Sequence, residues 1–123
     1  MDYSQLSDFE INATVFEALH GGSPDRKEGN DGAMLLVSFE ADVVDGDIVE
    51  VEVVRGSFNP CHNPADAWPI IAENKISIYA AILGDSRGDW GAEASFTEHY
   101  HFHNNPLRAA MLVFLMMQGS KDA

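Results

Sequence analysis

Three alternating histidines near the end of the chain have the types and spacing of metal ligands. His99, His101 and His103 would all point to one side of a strand, and Cys61 with His62 would add donors of the kind that zinc accepts. Side chains on one face of a strand follow each other at about 7 Å, so the outer two histidines are too far apart to share one ion. We therefore expect an exposed histidine face, with no resident metal and no cofactor.

A cysteine beside a histidine can also suggest a thiol nucleophile with its base. Adjacent residues on an extended chain point in opposite directions, so His62 is poorly placed to take the proton of Cys61. The sequence contains no Gly-x-Ser-x-Gly elbow, no phosphate-binding glycine loop and no His-Glu-x-x-His segment. We expect Cys61 to be structural and partly buried, and the sequence favours a protein without catalytic residues.

Acidic residues alternate with apolar ones on both sides of Asp45-Gly46. Glu40 and Asp42 precede this dipeptide, and Glu50 and Glu52 follow it. The period of two predicts a pair of strands, and the Asp-Gly dipeptide predicts a hairpin turn between them.

The length of that turn decides which side chains share a face. A two-residue turn would place Ala41 opposite Glu50 and mix acidic with apolar side chains on each face. The pattern therefore predicts a longer loop with an odd number of residues, which gathers Glu40, Asp42, Glu50 and Glu52 on one face.

The charge of the chain restricts what this acidic face could bind. There are 7 lysines and arginines against 20 aspartates and glutamates, and the formal net charge is −13 at pH 7. Nucleic acids and anionic membranes require a cationic surface, so direct binding to either is excluded. The acidic face is either a solvated outer surface that keeps the protein soluble or a docking surface for a basic protein.

Local signals along the chain predict an α+β fold. Three helices are expected, at about Asp8–Leu19 after a Ser7/Glu10 capping box, from Asn63-Pro64 to near Asn74, and at Leu107–Gln118 before Gly119. Residues 23–32 are expected to form an exposed loop, and further strands are predicted at Ile76–Ile82 and within Trp90–His103.

The chain length of 123 residues suits one domain, residues 1–123. We expect one antiparallel sheet of about four strands, packed by the N- and C-terminal helices, with the C-terminal helix against the hairpin. The opening residues lack the basic start and apolar stretch of a secretory signal, and the single cysteine cannot form an internal disulfide. We therefore expect a cytoplasmic protein.

Three segments resemble a known family. The opening MDYSQLSDFEIN, the central CHNPADAWPIIAENKISI and the closing NPLRAAMLVFLMMQ are similar to the NinX-like proteins of lambdoid phages and prophages. The resemblance implies a phage or prophage accessory protein in the host cytoplasm, for which no biochemical activity is established. With this origin, the basic partner of the acidic face would be a host or phage protein.

The central segment also supports an alternative hypothesis. Asp66 and Trp68 could line a pocket, making the protein a small ligand-binding domain or a hydrolase-like enzyme. The residues that this alternative would use are Asn63, Asp66, Trp68, Trp90 and His101. Its competing explanation is structural, because Asn63 is placed to cap a helix and Trp68 to fill a core.

Overall fold

The computed structural model describes residues 2–81, 87–95 and 97–121. Within these ranges the chain forms three α-helices: α1 (Asp8–His20), α2 (Pro64–Glu73) and α3 (Pro106–Lys121). It also forms six strands: β1 (Arg26–Glu28), β2 (Met34–Val44), β3 (Asp47–Phe58), β4 (Ile76–Ala80), β5 (Trp90–Ala94) and β6 (Tyr100–His103). Short 3-10 turns occupy Tyr3–Gln5 and Asn30–Gly32. The predicted strand end at Ile82 lies outside the described residues.

The α+β prediction is confirmed, but the arrangement of the strands differs from a single four-stranded sheet. The strands form two antiparallel sheets, in the orders β1-β2-β3 and β4-β5-β6. One additional strand comes from β1, which lies in the segment predicted as a loop. Another arises because the region Trp90–His103 folds back on itself and pairs β5 with β6.

The helix starts follow the predicted capping chemistry. The Ser7 hydroxyl accepts a hydrogen bond from the Glu10 amide at 3.1 Å, and the Glu10 carboxylate accepts one from the Ser7 amide at 3.0 Å. Asn63 and Asn105 cap α2 and α3 through their side-chain oxygens. The prediction that Gly119 ends α3 was wrong, since the helix continues to Lys121. A glycine costs a helix only about 1 kcal/mol relative to alanine, which packing can offset.

The core is built around α3. All residues from Ala109 to Leu115 are buried, and the helix packs on the β4-β5-β6 sheet and against α1 and α2. The fully buried alanines Ala92 and Ala94 on β5 let the helix approach this sheet closely. The expectation that α3 packs against the hairpin was wrong, because the second sheet and two helices already cover its apolar sides. No helix of the described ranges has the length and apolar character needed to span a membrane.

Candidate functional site

The β2–β3 hairpin extends beyond the rest of the fold. Every residue from 39 to 52 is exposed, and the strand contacts of this part are between β2 and β3 themselves. We call residues 39–54 the arm. The arm contains six acidic residues and no lysine or arginine.

The turn of the arm has two residues, which corrects the predicted longer loop. Asp45 and Gly46 both have positive φ, at 52° and 86°, as a type I′ turn requires, and Val44 pairs with Asp47. Ala41 therefore lies opposite Glu50, the register that the sequence argument rejected. A buried face normally fixes register, but neither face of the arm is buried, so the turn chemistry decides.

The acids are consequently divided between two faces instead of being gathered on one. Glu40 and Asp42 lie opposite Val51 and Val49, whereas Glu50 and Glu52 lie opposite Ala41 and Phe39. Residues directly opposite each other share a face, so each face of the arm carries two of these acids among apolar side chains. In this register none of these four carboxylates lies directly opposite another.

Two of the four acids are paired at the base of the arm. Lys27 Nζ lies 2.7 Å from a Glu52 carboxylate oxygen, and Arg55 binds the Glu40 carboxylate. Asp42 and Glu50 have no ion pair within the described part of the chain. They are the more available charges of the predicted docking surface.

The arm also exposes large apolar side chains on both faces. Val43 is 67% exposed and Ile48 is 79% exposed. The other exposed apolar side chains of the arm are Phe39, Val44, Val49, Val51 and Val54. Such a set on an uncovered ribbon is typical of a protein-binding surface.

A second group of polar residues joins distant parts of the chain. Asp8, at the start of α1, binds His62 through one oxygen, with Oδ2 and Nε2 2.6 Å apart, and Arg108 through the other. Arg108 also donates to the carbonyls of Ser4 and Leu6 at 3.2 and 2.8 Å. Burial raises the pKa of Asp8, but the hydrogen bonds from His62 and Arg108 outweigh it, so this pKa is lowered below its usual value.

Two buried asparagines continue this group. Asn12 donates to the Asn59 side chain at 2.8 Å and to the carbonyl of Gly32 at 3.0 Å, and it accepts a bond from the Cys61 amide at 3.1 Å. We call Asp8, Asn12, Asn59, His62 and Arg108 the polar cluster. Sequence reasoning missed the cluster, although all its members except Asn59 lie within the three segments of family resemblance, and Asn59 precedes the second by two positions.

A cavity of about 540 Å³ opens beside the polar cluster. Its polar lining comes from Asn30, Asp31, Ser57, Asn59, His62 and Asn63. Amide, hydroxyl and imidazole groups of this kind can hydrogen-bond a small polar molecule.

The residues of the predicted ligand pocket are only partly brought together. Asn63 lines the cavity, and Asp66 accepts a hydrogen bond from the Asn59 amide at 2.9 Å. Trp68 is 64% exposed on α2, and Trp90 pairs with His103 on the second sheet. His101 lines a different, smaller cavity of about 120 Å³ with Asp2 and Leu112, among others.

The surroundings of the three histidines and of Cys61 indicate structural roles for these residues. The expected exposed histidine face is not found, because His99, His101 and His103 are half-buried, and burial lowers the pKa of His101 and His103. Among the residues described, no group of three or more His, Cys, Asp or Glu side chains could hold a metal ion.

Cys61 is fully buried, and burial raises the pKa of its thiol to about 12, which leaves it unreactive near neutral pH.

Comparison with protein families finds a match over almost the whole chain. The family model described as "Bacteriophage P22, NinX" matches residues 2–118 of the chain. The matched span includes the arm, the polar cluster and the whole of the core. No curated protein and no solved structure matches the chain.

Proposed function

Because the chain belongs to the NinX family of bacteriophage proteins, we propose that this phage accessory protein acts in the host cytoplasm by binding a basic phage or host protein through the arm. One observation carries the proposal. The arm exposes acidic and apolar side chains on both of its faces, and no helix or sheet of the described chain packs on either one.

The physical properties of the arm support a bound state. An isolated two-stranded hairpin is only marginally stable in water, so a partner that covers its apolar side chains would stabilise it. The concentrated negative charge would attract a cationic surface and accelerate its association, most strongly at low salt. The same charge would repel nucleic acid.

The proposal is tested by comparing two double variants with the same change in charge. Asp42→Lys/Glu50→Lys reverses two acids of the arm, one on each strand, that form no ion pair among the described residues, whereas Glu73→Lys/Glu93→Lys reverses two exposed acids on α2 and β5. Each variant and the wild type would be immobilised and exposed to a lysate of phage-infected bacteria, and the dissociation constant of any retained protein would then be measured with purified material.

We expect a basic protein that the wild type and the Glu73/Glu93 variant retain and the arm variant loses. Its affinity should fall as the salt concentration rises, because each charge pair at an exposed surface is screened. Equal retention of every protein by both variants would refute binding through the charge of the arm.

One observation supports the alternative hypothesis that the protein binds a small ligand. Asn30, Asp31 and Ser57 line the cavity, and within the described chain their side chains make no hydrogen bond. A screen of small polar metabolites by ligand-detected NMR tests it. Binding that disappears in Asn30→Ala/Ser57→Ala but persists in Asp42→Lys/Glu50→Lys would establish the cavity as a site.

A further inference from the structure

The arm offers an unpaired backbone edge as well as exposed side chains. β3 is the outer strand of its sheet, and β1 covers only residues 34–36 of β2 on the opposite side. Among the described residues, no strand pairs with the outer edge of β3 from Asp47 to Phe58. An open edge of this length is a template for another strand.

Two hydrogen bonds reveal which amides point away from the ladder. The Val43 amide donates to the side-chain carboxylate of its neighbour Asp42 at 2.8 Å. The Val37 amide donates to the carbonyl of Asp25 at 3.1 Å, so both amides point away from β3. Val43 lies opposite Ile48. Because pairs in an antiparallel ladder alternate between bonded and non-bonded, the outward amides of β3 are those of Ile48, Glu50, Glu52 and Val54.

The side chains along this edge follow the same alternation. Val49, Val51 and Val53 lie on one face of the arm, while Glu50 and Glu52 lie on the other. A strand added here would therefore have apolar side chains beside the valines and cationic ones beside the glutamates.

We propose that the basic partner adds an extended segment of alternating apolar and basic residues as an antiparallel strand along the outer edge of β3. The inference rests on the proposed function and specifies how the arm binds. A second copy of the chain is the less suitable occupant, because its arm is equally acidic and every copy carries a formal charge of −13. The glutamates thus repel a second arm while attracting a basic strand.

A synthetic peptide tests the backbone contribution on the unaltered protein. The probe is an acetylated and amidated heptapeptide of alternating lysine and valine, and its control has the same composition with the lysines grouped together. Two further versions are N-methylated, one at the lysine amides and one at the valine amides. In antiparallel pairing, residues opposite Glu50 and Glu52 direct their amides towards β3, and these residues would be the lysines.

We expect the alternating peptide to bind, and methylation of its lysine amides to weaken binding at least tenfold. Methylation of the valine amides should change the dissociation constant by less than about threefold, since those amides face solvent. Failure of the alternating peptide to bind, or equal effects of the two methylations, would overturn strand addition. The proposed function would survive that failure if the charge-reversed arm variant still lost its partner.

Two substitutions of Glu50 test the same backbone hydrogen bonds by changing the protein instead of the peptide. Glu50→Pro and Glu50→Thr both remove the carboxylate, but only proline removes the outward amide, and proline is tolerated on an edge strand at such a position. We expect the proline variant to bind the alternating peptide at least tenfold more weakly than the threonine variant. Similar affinities of the two variants would contradict strand addition. A homodimer, seen by sedimentation, that only the proline variant fails to form would instead identify a second copy of the chain as the occupant and overturn the basic partner. If proline instead unfolds the arm, the methylated peptides still decide the question on the intact protein.

Discussion

At the scale of single residues, Asp8 connects the three segments of family resemblance. It is 54 positions from His62 and 100 positions from Arg108 in the sequence, and it binds both. The sequence predicted the local bonds of the molecule, such as the Ser7/Glu10 capping box, because their partners are three residues apart. It could not predict the partners of Asp8, since these contacts exist only after the chain has folded.

The lowered pKa of Asp8 predicts a pH-dependent contribution to stability. A carboxyl whose pKa is depressed on folding stabilises the protein above its unfolded pKa of about 4, and this stabilisation is lost as the pH falls through the folded value. Asp8→Asn should lower the free energy of unfolding at pH 7 by about 1 to 3 kcal/mol, since it leaves the nearly buried Arg108 without its counter-charge. Urea denaturation at pH 7 and pH 3 would measure this, and the difference from wild type should shrink at the lower pH. A difference of the same size at both values would contradict the assigned role.

Because the thiol of Cys61 is buried, we predict that alkylating reagents do not modify it in the folded protein. With a pKa of about 12, the thiol carries almost no thiolate near neutral pH, and its side chain is inaccessible. Iodoacetamide at pH 8 should therefore leave the folded protein unmodified for hours and alkylate it within minutes in urea. Mass spectrometry would measure the alkylation over time. Fast alkylation of the folded protein would show that the core around Cys61 opens readily.

At the scale of elements, helix positions were easier to predict than the strand register. The starts of α1, α2 and α3 follow from Ser7, Asn63 and Asn105 because capping is local. The register of the arm was predicted incorrectly because alternating apolar residues were assumed to mark a buried face. The Asp45-Gly46 turn carried the correct information, and the exposed arm obeys it.

The contrast between α3 and the arm predicts different responses to the removal of an aliphatic side chain. Leu112 is 1% exposed in the centre of α3, so Leu112→Ala should lower the free energy of unfolding by about 2 to 5 kcal/mol. Ile48→Ala, at the exposed end of the arm, should change it by less than about 0.5 kcal/mol. Chemical denaturation of both variants would measure the two effects. A loss below 1 kcal/mol for Leu112→Ala would mean that α3 packs loosely.

At the scale of the whole molecule, the fold separates a packed body from an acidic arm. The body contains the core around α3 and the polar cluster, whereas no residue of the arm belongs to this core. The negative charge was evident from the sequence. Its placement on both faces of a projecting ribbon was not, because the sequence cannot show that the hairpin lacks a covering layer.

This separation predicts that the arm can be shortened without unfolding the body. Replacing residues 39–52 with a two-residue Asn-Gly turn joins Ser38 to Val53, which face each other in the hairpin, and keeps Phe58, whose ring packs on Phe16 of α1. Differential scanning calorimetry should give a melting temperature within about 4 °C of the wild type. A much lower melting temperature would show that the body depends on the arm.

Amide hydrogen exchange with the partner bound tests most directly whether the arm is the functional surface. The measurement would use the basic protein retained by the wild type in the capture experiment. We predict slower exchange confined to the arm, most strongly at the outward amides of Glu50 and Glu52, with no change around the cavity. Slower exchange at Asn30, His62 and Asn63, with unchanged exchange throughout the arm, would contradict the account and identify the cavity as the binding site.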